Sequence, residues 1–242
     1  AGSVDPVRDA RMLEEELQLT DLIVIEKRIE RIEKEHKKGP EHDLLVRCRA
    51  HIEGGAPLRT LSLDPHEVHD LAGFCFLSQK PLMLLGNYGE ESIGTPDPSG
   101  LQAFATEHQI PLIDLCGEME FEVAQLPESE RQAFRDDLGL GEESRTRFIQ
   151  AAYDMLGLMS FLTAGEPEVR AWTIRKGTKA VDAAGVIHSD IQRGFIRAEI
   201  VGFDHFMQAG SMAKAREQGH MRLEGKEYIF QDGDIVLFRF NV

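Results

Sequence analysis

Residues 183–190 read AAGVIHSD, 194–199 GFIRAE, 224–228 EGKEY and 232–234 DGD, and these strings near the C-terminus decide how the chain is read. Around them Glu168 to Ile174, Phe195 to Val201, Met221 to Glu224 and Ile235 to Phe240 are strand candidates, short apolar and β-branched runs bounded by turn residues. Helices are expected between them, near Ala180 to His188 and Ser211 to Gln218. The composition changes at Thr163: residues 163–242 hold 11 basic and 11 acidic side chains, whereas residues 1–162 hold 16 and 31. The N-terminal two thirds therefore carry the whole formal charge of −15.

Upstream the texture alternates. Pro81 to Gly86 is an apolar run suited to a buried parallel strand, Leu101 to His108 a crossover helix, and Ile110 to Leu115 the next strand, which together indicate an α/β sheet. Pro127 to Leu138 predicts an amphipathic helix, and Arg147 to Phe161, apolar on nearly every side, a buried one. Between the N-terminus and this sheet, Leu22, Ile25, Ile29 and Ile32 fall at spacings of three and four among charged residues, the pattern of an a/d seam. Lys38-Gly39-Pro40 stops that helix, and a second run from Glu41 to Ile52 presents Leu45, Cys48 and Ile52. The pattern fits an antiparallel helical hairpin or two ordinary surface helices. Ser62 to Glu67 reads as a further helix start, with Asp64 as cap and Pro65 in the first turn.

With VDPVRD from Val4, LGNYGEES from Leu85 and TAGEPEVRAWTIRKGT from Thr163 added, the four opening strings resemble the YchF/Obg-like ATPase family over essentially the whole chain. The resemblance implies residues 1–18 and 73–162 as the remainder of a P-loop nucleotide-binding domain, residues 19–72 as an inserted coiled-coil arm, and residues 163–242 as a TGS domain, a small mixed sheet grasping a helix. A P-loop needs Gly-x-x-x-x-Gly-Lys-Ser/Thr to wrap phosphates with backbone N–H groups and to reach Mg²⁺. These 242 residues contain no such string; at Gly225-Lys226 the first glycine is replaced by His220 and the hydroxyl by Glu227. The expectation is a chain lacking the front of its nucleotide domain, whose open sheet exposes apolar edges.

Asn87-Tyr88-Gly89-Glu90 follows a strand, where GTPases of this class place Asn-Lys-x-Asp to read guanine. The family departs in the same way, and the departure goes with adenine or relaxed nucleotide choice. Adenine presents an acceptor at N1, so a carboxylate aimed there loses roughly 1 to 3 kcal/mol. Glu90 must then point elsewhere or still favour guanine, and ATP would be accepted through backbone near Tyr88, its ring or Cβ packing on the base. With 42 acids in 242 residues the motif alone is weak. The second strand, ending in Asp114-Leu115-Cys116-Gly117-Glu118, adds weight, since the resemblance places base-contacting backbone N–H groups at Cys116, Gly117 and Glu118. The other reading is two ordinary strand-to-helix turns. Asp-x-x-Gly occurs at Asp70, Asp97, Asp136, Asp154 and Asp182, five positions without the strand context of a Mg²⁺ loop, so no catalytic or metal residue is assigned.

Arg193, Arg197, Lys214, Arg216, Arg222 and Lys226, near Phe195, Phe203, Phe206 and Tyr228, suit RNA phosphates and unstacked bases, or equally a solvated face around core aromatics. His66 and His69 at i, i+3 read as solvated histidines, and His188 as a structural one. Cys48, Cys75 and Cys116, with no Cys-x-x-Cys, read as reduced cytoplasmic thiols, and no apolar run is long enough to span a bilayer. The intact protein is expected to be a cytoplasmic, monomeric ATPase or GTPase, using Mg²⁺ and associating with ribosomes or RNA. The alternative is a non-catalytic ribosome-binding module.

Overall fold

Asp5 starts the longest element by accepting a hydrogen bond from the Arg8 N–H at 3.0 Å, with Pro6 in the first turn where its missing N–H costs nothing. The computed structural model describes residues 3–165 and 168–241. They form two units that divide between Phe148 and Ile149.

In the N-terminal unit α1 (Pro6–Lys34) runs unbroken through the expected boundary at residues 18 and 19. Pro40, read as a stop, instead opens α2 (Pro40–Glu53) at its first helical position. Ile25, Ile29 and Ile32 of α1 pack with Leu44, Leu45, Cys48 and Ile52 of α2, and Leu58, Leu71 and Phe76 complete the core. The Arg28 guanidinium clamps Glu41 bidentately at 2.7 and 2.9 Å across the pair. Burial pushes the Cys48 thiol up to about 11. Asp21 is buried in α1 and accepts from the N–H groups of Leu77 and Ser78 at 2.8 and 2.7 Å and from the Ser78 hydroxyl at 2.6 Å.

α3 (Pro65–Leu71) begins at Asp64, whose carboxylate accepts from the Glu67 N–H while the Glu67 carboxylate accepts from the Asp64 N–H. Then come β1 (Leu84–Asn87), α4 (Leu101–His108), β2 (Leu112–Leu115), α5 (Gly117–Gln125), α6 (Glu128–Leu138) and α7 (Ser144–Met155). β1 and β2 pair in parallel, Leu84 with Leu112 through Asn87 with Leu115. The run expected to be a buried strand is so only in part: Gly86 is buried and Leu82 to Leu84 are half-buried, whereas Leu85 is 51% exposed.

The C-terminal unit carries the main correction. The helix expected through Phe161 stops at Met155, Gly157 adopts φ +63°, and β3 (Leu158–Ala164) follows. A left-handed residue ends an α-helix, and glycine adopts it without Cβ strain. α7 is not the buried helix expected either, since Phe148 and Ile149 on it are exposed. After β3 come β4 (Val169–Arg175), α8 (Ala180–Ile187), α9 (Ser189–Arg193), β5 (Phe195–Gly202), α10 (Phe203–Ala209), α11 (Met212–Glu217), β6 (Arg222–Glu224) and β7 (Asp234–Phe240). The sheet order is β4-β3-β7-β5-β6, parallel between β3 and β7 and otherwise antiparallel. Ala180, Ala183 and Ala184 of α8 lie against Met159, Phe161, Ala198, Ile200, Val236 and Phe238, small helix residues letting the helix settle close on the sheet.

Candidate functional site

Parallel pairing aligns the ends of β1 and β2, so the turns after Asn87 and Leu115 leave the sheet side by side at its carboxyl edge, where α/β folds bind ligands. The Tyr88 N–H donates to the Leu115 carbonyl at 2.9 Å, and the Gly117 N–H donates to Asn87 Oδ1 at 2.9 Å. Two segments thirty residues apart are thereby joined through the asparagine side chain.

Of the sequence-predicted base contacts, Asn87, Tyr88, Cys116 and Gly117 meet at these turns, and of the four Tyr88 and Cys116 line the adjacent cleft while Asn87 and Gly117 do not. Glu90 does not join them: it opens an exposed single turn, Glu90–Ser92, and is absent from the lining of the adjacent cleft. Glu118 is exposed in the first turn of α5 and also lies outside that lining. Tyr88 folds back over Gly86, where an added Cβ would sit 2.7 Å from the ring and 2.4 Å from Asp114 Oδ1. A side chain at this position would have to displace the Tyr88 ring or the Asp114 carboxylate. The Tyr88 hydroxyl is 2.7 Å from Ser99 Oγ.

The cleft, about 170 Å³, is lined by Tyr88, Thr95, Asp114, Cys116, Glu120 and Arg147 among others. Burial raises the pKa of both Tyr88 and Asp114 above their ordinary values, which disfavours their charged forms. Asp114 Oδ1 and Arg147 Nε are buried there without a hydrogen-bond partner. A second network braces the wall. Arg135 forks onto Glu120 at 2.7 and 3.0 Å, and Arg147 Nη2 donates to Ser144 Oγ at 3.0 Å and to the Asp114 carbonyl at 2.7 Å. The Arg135 guanidinium holds the Glu120 carboxyl below the usual carboxylate range. Sequence reasoning missed this network, because nothing local links positions 120, 135 and 147.

The Tyr88 and Gly117 N–H groups are taken up by the Leu115 carbonyl and by Asn87 Oδ1, and the Asn87 side chain is exposed at the joined turns. Among the described residues no group of three or more His, Cys, Asp or Glu could hold a metal. Among them also, no helix is long and apolar enough to cross a membrane. His66 and His69 are exposed on α3. His188 caps α9, its Nδ1 accepting from the Asp190 N–H at 3.1 Å.

The six basic residues of the C-terminal unit do not form one patch. Arg193 pairs with Asp190, while Arg197 and Arg216 turn onto Glu199. Arg222 Nη2 donates to Tyr228 Oη at 2.9 Å and to the buried Asp234 at 3.1 Å, and the Tyr228 hydroxyl donates to Asp234 at 2.8 Å. Lys214 and Lys226 are exposed. Burial, then the neighbouring Asp234, pushes the Tyr228 phenol from about 10 up to about 12. Because the folded state holds this proton more tightly, the stabilisation is complete below pH 10 and lost as pH rises towards 12. Of the three tyrosines, Tyr88 and Tyr228 should both ionise later than a free phenol in an absorbance titration at 295 nm, and Tyr228→Phe should remove the latest step. Loss of a different step would place the shift on another ring.

Residues 158–241 match the family model YchF-GTPase_C, described as a protein of unknown function (DUF933), and its first matched residue is the first of β3. The Ribosome-binding ATPase YchF of Bacillus subtilis (strain 168) is 39% identical over 253 residues, covering 100% of this chain and 69% of that protein. The Obg-like ATPase 1 of Pongo abelii is 35% identical over 263 residues, covering 99% of this chain and 64% of its own length. Among solved structures, the Schizosaccharomyces pombe YchF GTPase superposes with a TM-score of 0.86 at 28% identity, over 98% of this chain and 67% of that one. The sequence likeness runs through both units, across the Asn87 turn as well as the C-terminal sheet, and the chain belongs to the YchF family.

Proposed function

We propose that this chain carries the base-binding edge and the ribosome-facing parts of a cytoplasmic ATPase that, when intact, hydrolyses ATP, or GTP, with Mg²⁺ and associates with ribosomes. The observation that carries the reading is the Gly117 N–H to Asn87 Oδ1 bond, which unites the two turns at the carboxyl edge of a parallel pair. Relatives named ribosome-binding ATPases support the reaction and the partner. Asn87 would offer its amide to the purine, and the backbone at Tyr88 and Cys116 to Glu118 would meet the ring edge. Glu90 and Glu118 would stay in solvent, so neither of these carboxylates opposes adenine N1. α1 and α2 are read as the coiled-coil arm, and the C-terminal sheet as a β-grasp TGS domain.

Phosphoryl transfer depends on positioned phosphate donors and metal. The 242 residues contain no Gly-x-x-x-x-Gly-Lys-Ser/Thr, so this chain alone is expected to be inactive. The test uses these residues joined to a P-loop segment and titrated with ATP and GTP. ATP should bind at least as tightly as GTP, and Asn87→Ala should weaken both about tenfold, since about 1.4 kcal/mol corresponds to one charge-free hydrogen bond lost. A hundredfold preference for GTP would end the adenine reading. Nucleotide binding unaffected by Asn87→Ala would remove the site.

A further inference from the structure

On β5 the residues on either side of Glu199, Ala198 and Ile200, belong to the core beneath α8, whereas Glu199 faces the other way and is only 1% exposed. The register places Leu223 of β6 and Leu237 of β7 directly opposite Glu199, and Arg239 opposite Arg197. Cross-strand partners and i, i+2 neighbours share a face of a sheet. Arg197, Glu199, Leu223, Leu237 and Arg239 therefore lie on the face turned away from α8, and Arg216 of α11 reaches the same carboxylate.

Three guanidinium groups converge on one acid. Glu199 Oε1 accepts from Arg197 at 3.3 Å and from Arg239 Nε at 3.1 Å. Its Oε2 accepts from Arg216 at 2.7 Å and from Arg239 Nη2 at 3.1 Å. Arg239 holds Glu199 ionised, well below the usual carboxylate range. One negative charge cannot neutralise three positive ones, so the cluster keeps a surplus of two positive charges in a chain whose formal charge is −15. The three side chains are about half exposed, and each guanidinium has donors left over from its bonds to Glu199. Their rotamers are already set by the buried carboxylate, so a ligand loses less side-chain entropy on binding. A cavity of about 290 Å³ opens between Arg197, Arg216, Met221 and Leu223, and Leu223 and Leu237 are exposed beside the cluster.

We infer that this Glu199-centred arginine cluster is a seat for the phosphodiester backbone of single-stranded RNA. Guanidinium forks match phosphate oxygens bidentately, while the two leucines give bases or ribose an apolar platform. The inference rests on the ribosome-associated reading above and sharpens it. Arg193 and Arg222 are occupied by Asp190 and Asp234 and fall outside the seat, and Arg239, which sequence spacing did not single out, joins it.

The test is fluorescence anisotropy of a labelled oligouridine 12-mer with the full chain over a KCl series, alongside ribosome co-sedimentation at low salt. Arg239→Gln and Arg197→Gln should each weaken oligouridine binding about tenfold and flatten the slope of log K against log salt by about 0.7 per phosphate lost. Arg239→Lys should recover the slope but not the full affinity, and Arg193→Gln should change neither. A merely structural network would leave the salt slope untouched. If wild-type protein binds oligouridine but Arg239→Gln and Arg197→Gln match it in affinity and slope, the seat is wrong while the ribosome reading stands. If wild-type protein binds neither oligouridine nor ribosomes, both fall. Displacement of the RNA by an oligoglutamate of equal charge with equal potency would overturn the phosphodiester assignment in favour of an acidic protein.

Discussion

Truncating Phe161 to alanine should cost the C-terminal unit about 3 to 5 kcal/mol, the range for removing a fully buried phenylalanine. Phe161 is 0% exposed and sits at the centre of an aromatic cluster. Its ring centroid lies 4.9 Å from Phe230, 6.2 Å from Phe238 in an edge-on arrangement, and 6.5 Å from Trp172. Small units are stable by only about 5 to 15 kcal/mol, so this loss is a large share of the total. Trp172, the single tryptophan, packs against this core and reports it directly. In urea the fluorescence midpoint should fall by about 1 to 5 M, with a slope of the order of 1 to 3 kcal/mol per molar. A change below about 1 kcal/mol would mean that Phe161 does not fill the core, and would sink the placement of β3 with it.

Asp21→Ala should destabilise the N-terminal unit by about 3 kcal/mol. Among the described residues the Asp21 carboxylate is the one acceptor for the Leu77 and Ser78 N–H groups, and it also takes the Ser78 hydroxyl. Hydrogen bonds to a charged acceptor contribute roughly 1.5 to 3 kcal/mol each, and a buried donor stranded by the substitution adds its desolvation penalty. Ser78 is fully buried, so water cannot replace the lost acceptor without opening the core around Phe76 and Leu58. Asp21→Asn keeps an acceptor but turns an amide N–H₂ towards a donor, and should recover only part of the loss. The helical signal at 222 nm in a urea series measures the stability, and amide exchange at Leu77 and Ser78 should accelerate selectively in both variants. Unchanged protection at those two amides would show that Asp21 does not anchor the segment.

Both predictions fall where local pattern was silent. Leu158 to Ala164 carries an apolar run compatible with helix or strand, and its continuity with the helical Arg147 to Met155 decided the reading wrongly. Met159 and Phe161 alternate into the core only because β4 and β7 stand on either side of them. Asp21 reads as one more charge on an acidic helix, since its partners lie 56 and 57 residues further on. The Glu120, Arg135 and Arg147 brace, and the joining of Arg239 to Glu199 across 40 residues, were hidden for the same reason. Glu90 was placed in the motif by spacing, whereas the conformation of its turn sets it outside the cleft.

The amino-acid order alone determined the mixed α/β class, the seam of Ile25, Ile29 and Ile32 against Leu45, Cys48 and Ile52, the Asp64 cap, the strands after Val169 and the family likeness. Each depends on periodicity or on neighbours within a few residues, and such interactions are written in sequence. Tertiary structure decided which charges are spent inside the fold and which face solvent: it set Arg222 on Asp234, gathered Arg197, Arg216 and Arg239 around Glu199, and brought Asn87 to Gly117. Hydrogen bonds and ion pairs require groups within about 3 Å, and between distant residues only the folded sheet and helix packing brings them that near.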